Sequence, residues 1–223
     1  MRASHPAIAC MIHSRFLEAC LVLCVAFAPA PTRADSPLTS TGFAGVYADV
    51  PEVAHALDAG KLDARLEAYL LDRRTPPDRA IAVINALGWN FDGQDNHLQL
   101  LRRLQREDPA RFHAFRRGNG DGHLLLVIGY AWVMDDYLRG PEKGEALLRV
   151  AARRLPDSFA AAFAHVLARA QLDLHDGRDD GWCRVHRGPR ALIDGWGARE
   201  VDLRQGAIDA AMEYLDGYGE YCR

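Results

Sequence analysis

Side chains that could bind a cation or catalyse hydrolysis are concentrated near residue 175. The group consists of Asp173, His175, Asp176, Asp179 and Asp180. Carboxylates and an imidazole this close together suggest either a cation site or the acidic site of a hydrolase between Asp173 and Asp180. Their spacing fits no known ligand loop, because an EF-hand needs ligands at fixed alternate positions and a terminal Glu. A solvated loop with acidic capping residues explains the same pattern, so we predict no metal site.

A second group, directly downstream, contains the residue types that dominate protein-binding hot spots. Its members are Trp182, Arg184, His186, Arg187, Arg190 and Trp196. Residues 176–203 are rich in glycine and carry both charge signs, which predicts a long irregular loop with one helical turn at residues 190–194. Such loops are often functional, so we predict that this group binds an acidic partner. The alternative is that Trp182 and Trp196 fill the core.

Catalytic motifs of known spacing are absent from the sequence. Residues 90–97 resemble a calcium-binding loop over a few positions, but Leu101 stands where the bidentate acid is needed. That segment therefore predicts a turn followed by a helix cap. The chain also lacks a nucleophile elbow, a zinc-protease helix and a phosphate-binding loop. We assign no catalytic residue and no cofactor, and we expect a protein that is not an enzyme.

The five cysteines fall into two groups. Cys10, Cys20 and Cys24 lie in the amino-terminal segment, whereas Cys183 and Cys222 lie near the carboxyl terminus. An even number of cysteines in an oxidising compartment predicts a disulfide between the last two. Two unpaired thiols are the alternative. A metal pair is disfavoured because neither cysteine has a His or Cys at zinc-ligand spacing.

The first 34 residues have the parts of a secretory signal peptide. Basic residues precede an apolar run at 19–30, and residues 32–34 place small side chains where a signal peptidase reads them. The run is shorter than the roughly 20 apolar residues that span a bilayer. We predict cleavage before Asp35, with translation starting at Met1 or Met11. The mature protein is then periplasmic or secreted, without a stable membrane anchor.

The charge of the mature chain argues against nucleic acid as a partner. The full chain has 27 basic and 30 acidic residues, and removal of residues 1–34 leaves 24 and 29, a net charge of −5. A mildly acidic chain offers no basic surface for phosphate backbones or anionic lipid. The remaining partner class that we predict is protein.

Helical periodicity dominates the chain after residue 48. Residues 35–48 are rich in Ser, Thr, Pro and Gly and predict a disordered lead-in, followed by a single helical domain at 49–223. Residues 124–134 are apolar on every side, which indicates a buried central helix. The predicted fold is all-α, with antiparallel helical hairpins around that helix and a disulfide-tethered C-terminal loop region.

Residues 122–175 resemble tetratricopeptide-type helical hairpin repeats. Residues 128–130 (Ile-Gly-Tyr) resemble the Leu-Gly step of the first repeat helix, and residues 144–147 (Gly-Glu-Ala-Leu) the small-residue step of the second. Residues 155–158 (Leu-Pro-Asp-Ser) resemble the turn between repeats. The loop at 139–141 makes the unit longer than the family's pattern, and no second copy follows at a matching period. The resemblance implies a concave surface that binds peptides or proteins.

Two function classes fit these observations. The first is an exported protein-interaction module of the bacterial envelope, such as an adaptor, a chaperone-like subunit or an inhibitor or immunity-type binder. The second is an envelope hydrolase whose acidic groups come together between Asp173 and Asp180. A deep pocket with convergent polar groups would favour the enzyme, and a groove or apolar patch would favour the interaction module.

Overall fold

The structure, a computed structural model, describes residues 36–176 and 180–222. The predicted signal peptide and Asp179 lie outside the described residues. Within them the chain forms ten α-helices and two 3-10 helices, with no strand, which confirms the predicted all-α fold. The α-helices are α1 (Pro51–Ala59), α2 (Ala64–Leu71), α3 (Pro77–Leu87), α4 (Asn96–Glu107), α5 (Pro109–Arg116), α6 (Gly122–Asp135), α7 (Pro141–Arg154), α8 (Phe159–His175), α9 (Gly181–Gly195) and α10 (Gln205–Leu215). The 3-10 helices are Ala44–Tyr47 and the terminal one, Asp216–Tyr221.

Local capping explains where several helices begin. Asp63, Asp108, Asp121 and Ser158 each accept a backbone N–H from the first turn of the helix that follows. Such caps satisfy donors that have no partner within the helix. Proline occupies the first turn of several other helices, where its missing N–H costs nothing.

Helix α6 contains the apolar run that the sequence predicts to be buried. Every residue of α6 except Trp132 is buried, and the helix packs against α2, α3, α4, α7 and α8. A helix that is apolar on all faces needs neighbours on all faces, and these five supply them. The organisation of the whole domain around α6 as its centre stays a prediction.

The crossing of α6 and α7 brings two glycines together. A Cβ atom added to Gly144 would lie 2.8 Å from the carbonyl oxygen of Gly129 and 2.3 Å from a methyl group of Val133. Only a residue without a side chain allows this backbone approach. Both glycines belong to the segments that resemble tetratricopeptide repeats, and that resemblance stays a prediction.

The amino-terminal lead-in is packed, contrary to the predicted disorder of residues 35–48. The side chain of Asn85, which is buried, accepts the backbone N–H groups of Phe43 and Ala44 at 2.9 and 3.0 Å. Phe43 and Tyr47 are fully buried. Composition predicted disorder because Ser, Thr, Pro and Gly dominate, but two aromatic anchors and one buried amide hold the segment in place.

The predicted long loop at 176–203 is also wrong, because residues 181–195 form α9. The buried side of this helix carries Gly181, Val185 and Pro189, with Leu192 and Ile193 partly buried. That spacing of four, four and three to four residues is a helical stripe. Its glycines and internal proline disfavour a helix, but burial against α8 outweighs that preference.

Candidate functional site

Three members of the acidic group, Asp173, Asp176 and Asp180, form ion pairs within the chain. Asp173 is 5% exposed, and its Oδ1 accepts hydrogen bonds from Arg169 at 3.0 Å and Arg184 at 3.1 Å. Arg184 also pairs with Asp180, which raises the pKa of its guanidinium, and lies 3.6 Å from Asp176. These contacts lock α9 onto α8. Within the described residues, no group of three side chains could hold a metal ion.

The six predicted binding residues serve different purposes. Trp196 is buried, its ring edge-to-face with Phe159 at 5.2 Å, and its Nε1 donates to the carbonyl of Glu200. This tryptophan therefore belongs to the core, as the alternative interpretation predicted.

Three of the other five are tied to neighbours. Arg190 donates to Asp216 at 2.9 Å, and this hydrogen bond raises the pKa of Arg190. Nδ1 of His186 lies 3.3 Å from Asp216, and Arg184 holds Asp173. All three connect α9 to a neighbouring element and so act as scaffold.

Trp182 and Arg187 are the members of the group that remain exposed. The Trp182 ring is 41% exposed and stands edge-to-face with Tyr218 and Tyr221 at 5.8 and 4.8 Å. We call Trp182, Tyr218 and Tyr221 the C-terminal aromatic surface. Cys183 and Cys222 brace it, with sulfur atoms 2.13 Å apart and Cα atoms 4.8 Å apart, the separation of the predicted disulfide.

A cleft that the sequence did not reveal lies between two inter-helix turns. Residues 90–93, between α3 and α4, and residues 136–139, between α6 and α7, line a cavity of about 170 Å³. We call this the loop cleft. Phe91 is 73% exposed and Leu138 60% exposed, the highest values among the large apolar side chains described. Exposed apolar side chains beside a cavity are typical of a contact surface.

Aromatic rings support both sides of the loop cleft. The Trp89 ring lies edge-to-face with Phe91 at 5.0 Å and with Tyr137 at 5.2 Å. Because one indole contacts a residue of each loop, the two loops are held at a fixed separation. Edge-to-face pairs add about 0.5–1.5 kcal/mol beyond the area they bury.

A buried carboxylate, Asp135, joins the start of the second loop to the residues around the start of α4. Oδ2 of Asp135 accepts the backbone N–H of His97 at 2.8 Å and the ring Nδ1 at 2.6 Å. The backbone N–H of Gln94 donates to the carbonyl of Asp135 at 2.8 Å. The other oxygen, Oδ1, is buried and accepts no hydrogen bond from the described residues, so the carboxylate holds α4 through Oδ2 alone. Asp135 thus caps α4 across the fold, in place of the helix's own N-cap residue, Asp95.

The His97–Asp135 pair has the orientation of a general base but lacks a nucleophile. Asp135 fixes the ring through Nδ1, as the acid does in a catalytic triad. Among the described residues, no serine, threonine or cysteine side chain hydrogen-bonds to His97. The ring stacks on Trp132 with centroids 4.5 Å apart. This arrangement explains how α4 is positioned.

Two opposite charges remain unpaired at the loop cleft. Asp92 and Arg139 are both exposed, and neither forms an ion pair within the described part of the chain. Nearby carboxylates are committed elsewhere: Asp136 accepts the N–H groups of Leu138 and Arg139. Hydrogen bonds from Gln99 and Arg102 hold the pKa of Asp95 below its usual range.

No family model, curated protein or solved structure matches this chain. The functional interpretation of the loop cleft and the C-terminal aromatic surface therefore depends on their geometry alone. Across residues 36–176 and 180–222, no helix has the length and apolar character needed to cross a membrane.

Part of the loop cleft had a sequence signal. The sequence predicts a polar turn before a helix cap at residues 90–97, and α4 begins at Asn96. Phe91 in this turn and Leu138 in the second turn, next to Arg139, are the remaining sequence signals, because each is an apolar residue in a polar loop. Nothing in the linear sequence places the two turns side by side.

Proposed function

We propose that the mature chain is an exported helical protein-interaction module of the bacterial envelope that binds its protein partner through the loop cleft. The exposure of Phe91 and Leu138 on the two sides of one cavity carries this proposal. In water these side chains leave apolar surface uncovered, and a partner that covers them gains roughly 25 cal/mol per Å² of area removed from solvent.

The size of the cavity supports a protein partner over a small molecule. At about 170 Å³ the cavity is smaller than the roughly 300–1,000 Å³ of sites for drug-sized ligands. Such a volume suits one anchoring side chain of a partner, in the manner of an interface hot spot. The rigid support from Trp89 and Asp135 lowers the entropy cost of binding.

Sequence features support the export that forms part of the proposal. The signal-peptide pattern at 1–34 and the close approach of Cys183 and Cys222 support a periplasmic or secreted protein. Adaptor, chaperone-like subunit and inhibitor or immunity-type binder all use such a surface. The hydrolase alternative gains no support from Asp173, because two arginines already hold its carboxylate.

Affinity capture with matched variants tests the proposal. Tagged mature protein is incubated with envelope extract of its own host, and the bound polypeptides are identified by mass. We expect the partner to be lost from a Phe91→Ala/Leu138→Ala variant. It should be retained by a Leu57→Ala/Val201→Ala control, which removes two other exposed apolar side chains. Equal capture by the two double variants would refute the proposal.

A further inference from the structure

We infer that the partner bound by the loop cleft is a second copy of this chain, in a two-fold symmetric dimer. This inference rests on the proposed function and names the partner of the same site. It follows from the order of apolar and charged residues along the two loops.

The two loops carry matching pairs of opposite charge. In the first loop the exposed Phe91 is followed by the acidic Asp92, and in the second the exposed Leu138 is followed by the basic Arg139. Both charged side chains lack an ion pair among the described residues. Each loop therefore presents an exposed apolar side chain beside one exposed charge, and the two charges have opposite sign.

This arrangement is self-complementary under a two-fold rotation. If the axis runs along the cleft, the first loop of one copy faces the second loop of the other, and the reverse contact forms at the same time. Phe91 then meets the partner copy's Leu138, and Asp92 meets its Arg139, twice over. Isologous two-fold contacts are the commonest form of homo-oligomer.

The loop cleft is also prepared for such a contact. Trp89 and the Asp135–His97 pair fix the two loops before any partner arrives. Each copy then needs little ordering on association, which favours even a small apolar contact. Asp95 is paired with Arg102, and the less exposed Asp136 carboxylate accepts the backbone N–H groups of Leu138 and Arg139. Asp92 and Arg139 are therefore the exposed charges of the two loops that lack an ion pair among the described residues.

Charge reversal at each of the two positions, followed by mixing of the two variants, tests the inference. The measurement is sedimentation velocity of the mature protein over a range of concentrations at low salt. We expect the wild-type protein to self-associate. Asp92→Arg and Arg139→Asp, each alone, should weaken self-association by about tenfold or more, because both pairs become repulsive at once.

Mixing the two variants provides the decisive arm. A dimer of one Asp92→Arg chain with one Arg139→Asp chain has two attractive pairs, so the mixture should recover the wild-type association that neither variant shows alone. Asp58→Arg and Arg187→Asp are matched controls at exposed positions outside the cleft and should associate as the wild type does. Circular dichroism checks that each variant is folded.

Several results would overturn the inference. A wild-type chain that stays monomeric would do so, as would single reversals that associate normally or a mixture that fails to recover. Capture of a different polypeptide that depends on Phe91 and Leu138 would also overturn it while leaving the proposed function intact. A monomeric chain that captures no polypeptide through the loop cleft would refute both the inference and the proposed function.

Discussion

The C-terminal aromatic surface and the loop cleft contain similar residue types but differ in what those residues contact. Beside the first, Arg184, His186 and Arg190 on α9 pair with carboxylates of the chain itself, and Cys183 lies against Cys222. At the second, Asp92 and Arg139 have no ion-pair partner within the described residues. The comparison teaches that hot-spot residue types indicate a binding surface only where their charged groups and rings are not already in contact with other residues of the chain.

Removal of the disulfide should have the largest effect on stability. It should destabilise the C-terminal region while leaving the loop cleft unchanged. The double variant Cys183→Ser/Cys222→Ser frees a loop of 39 residues, for which the chain-entropy model gives a loss of about 4 kcal/mol in the free energy of unfolding. Urea denaturation measures this loss. Hydrogen exchange at residues 90–97 should be unchanged under native conditions. Equal loosening of the loop cleft would show that the two regions are one cooperative unit.

Loss of the Asp135 carboxylate should have the next largest effect, this time at the loop cleft. Asp135→Ala leaves the backbone N–H and the ring Nδ1 of His97 without their acceptor, at a cost of about 2 kcal/mol in the free energy of unfolding. The neighbouring Asp136→Ala variant should lose less, because water can replace its contacts to exposed N–H groups. A similar loss for both would show that Asp135 does not hold the cleft together.

A pair of arginines within α9 tests the scaffold role of the C-terminal region. Arg184→Ala removes a donor from the buried Asp173, so its melting temperature should fall. Arg187→Ala removes an exposed side chain that forms no ion pair in the described structure, so its melting temperature should stay near that of the wild type. If instead Arg184→Ala keeps full stability and reduces capture of the partner, recognition belongs to α9.

The smallest effect on stability is expected from the two side chains that carry the proposed function. Leu138→Ala should change the free energy of unfolding by no more than about 0.5 kcal/mol, because this side chain is mainly exposed. Phe91→Ala also removes the edge-to-face contact with Trp89, so its change should stay within about 1.5 kcal/mol. Chemical denaturation checks these values. A loss of several kcal/mol would mean that these residues are structural, and their exposure would then no longer indicate a contact surface.

The fold class could be predicted because its determinants are local. Apolar periodicity, proline at helix starts and the cysteine parity are visible along the chain, and they predicted an all-α fold and the pairing of Cys183 with Cys222. Glycine and proline predict a loop in place of α9, although Val185, Pro189 and Ile193 follow helical spacing.

The candidate site could not be predicted because it depends on contacts between distant residues. Asp135 and His97 are separated by 38 positions, and only the fold brings Asp135 to the start of α4, where it accepts the backbone N–H of His97. The same contact brings the turn at 90–93 beside the turn at 136–139. In the C-terminal region, the sequence showed arginines but could not show that Asp173 and Asp216 already bind them.

Photo-crosslinking at one position in each region tests the central claim most directly. A benzoylphenylalanine replaces Phe91 at the loop cleft or Trp182 at the C-terminal aromatic surface, and the exported protein is irradiated in living cells. Both positions are exposed aromatic side chains, so the probe itself is matched. We expect a covalent adduct with a polypeptide from position 91 and none from position 182. An adduct from position 182 alone would contradict the account and place recognition on the C-terminal aromatic surface.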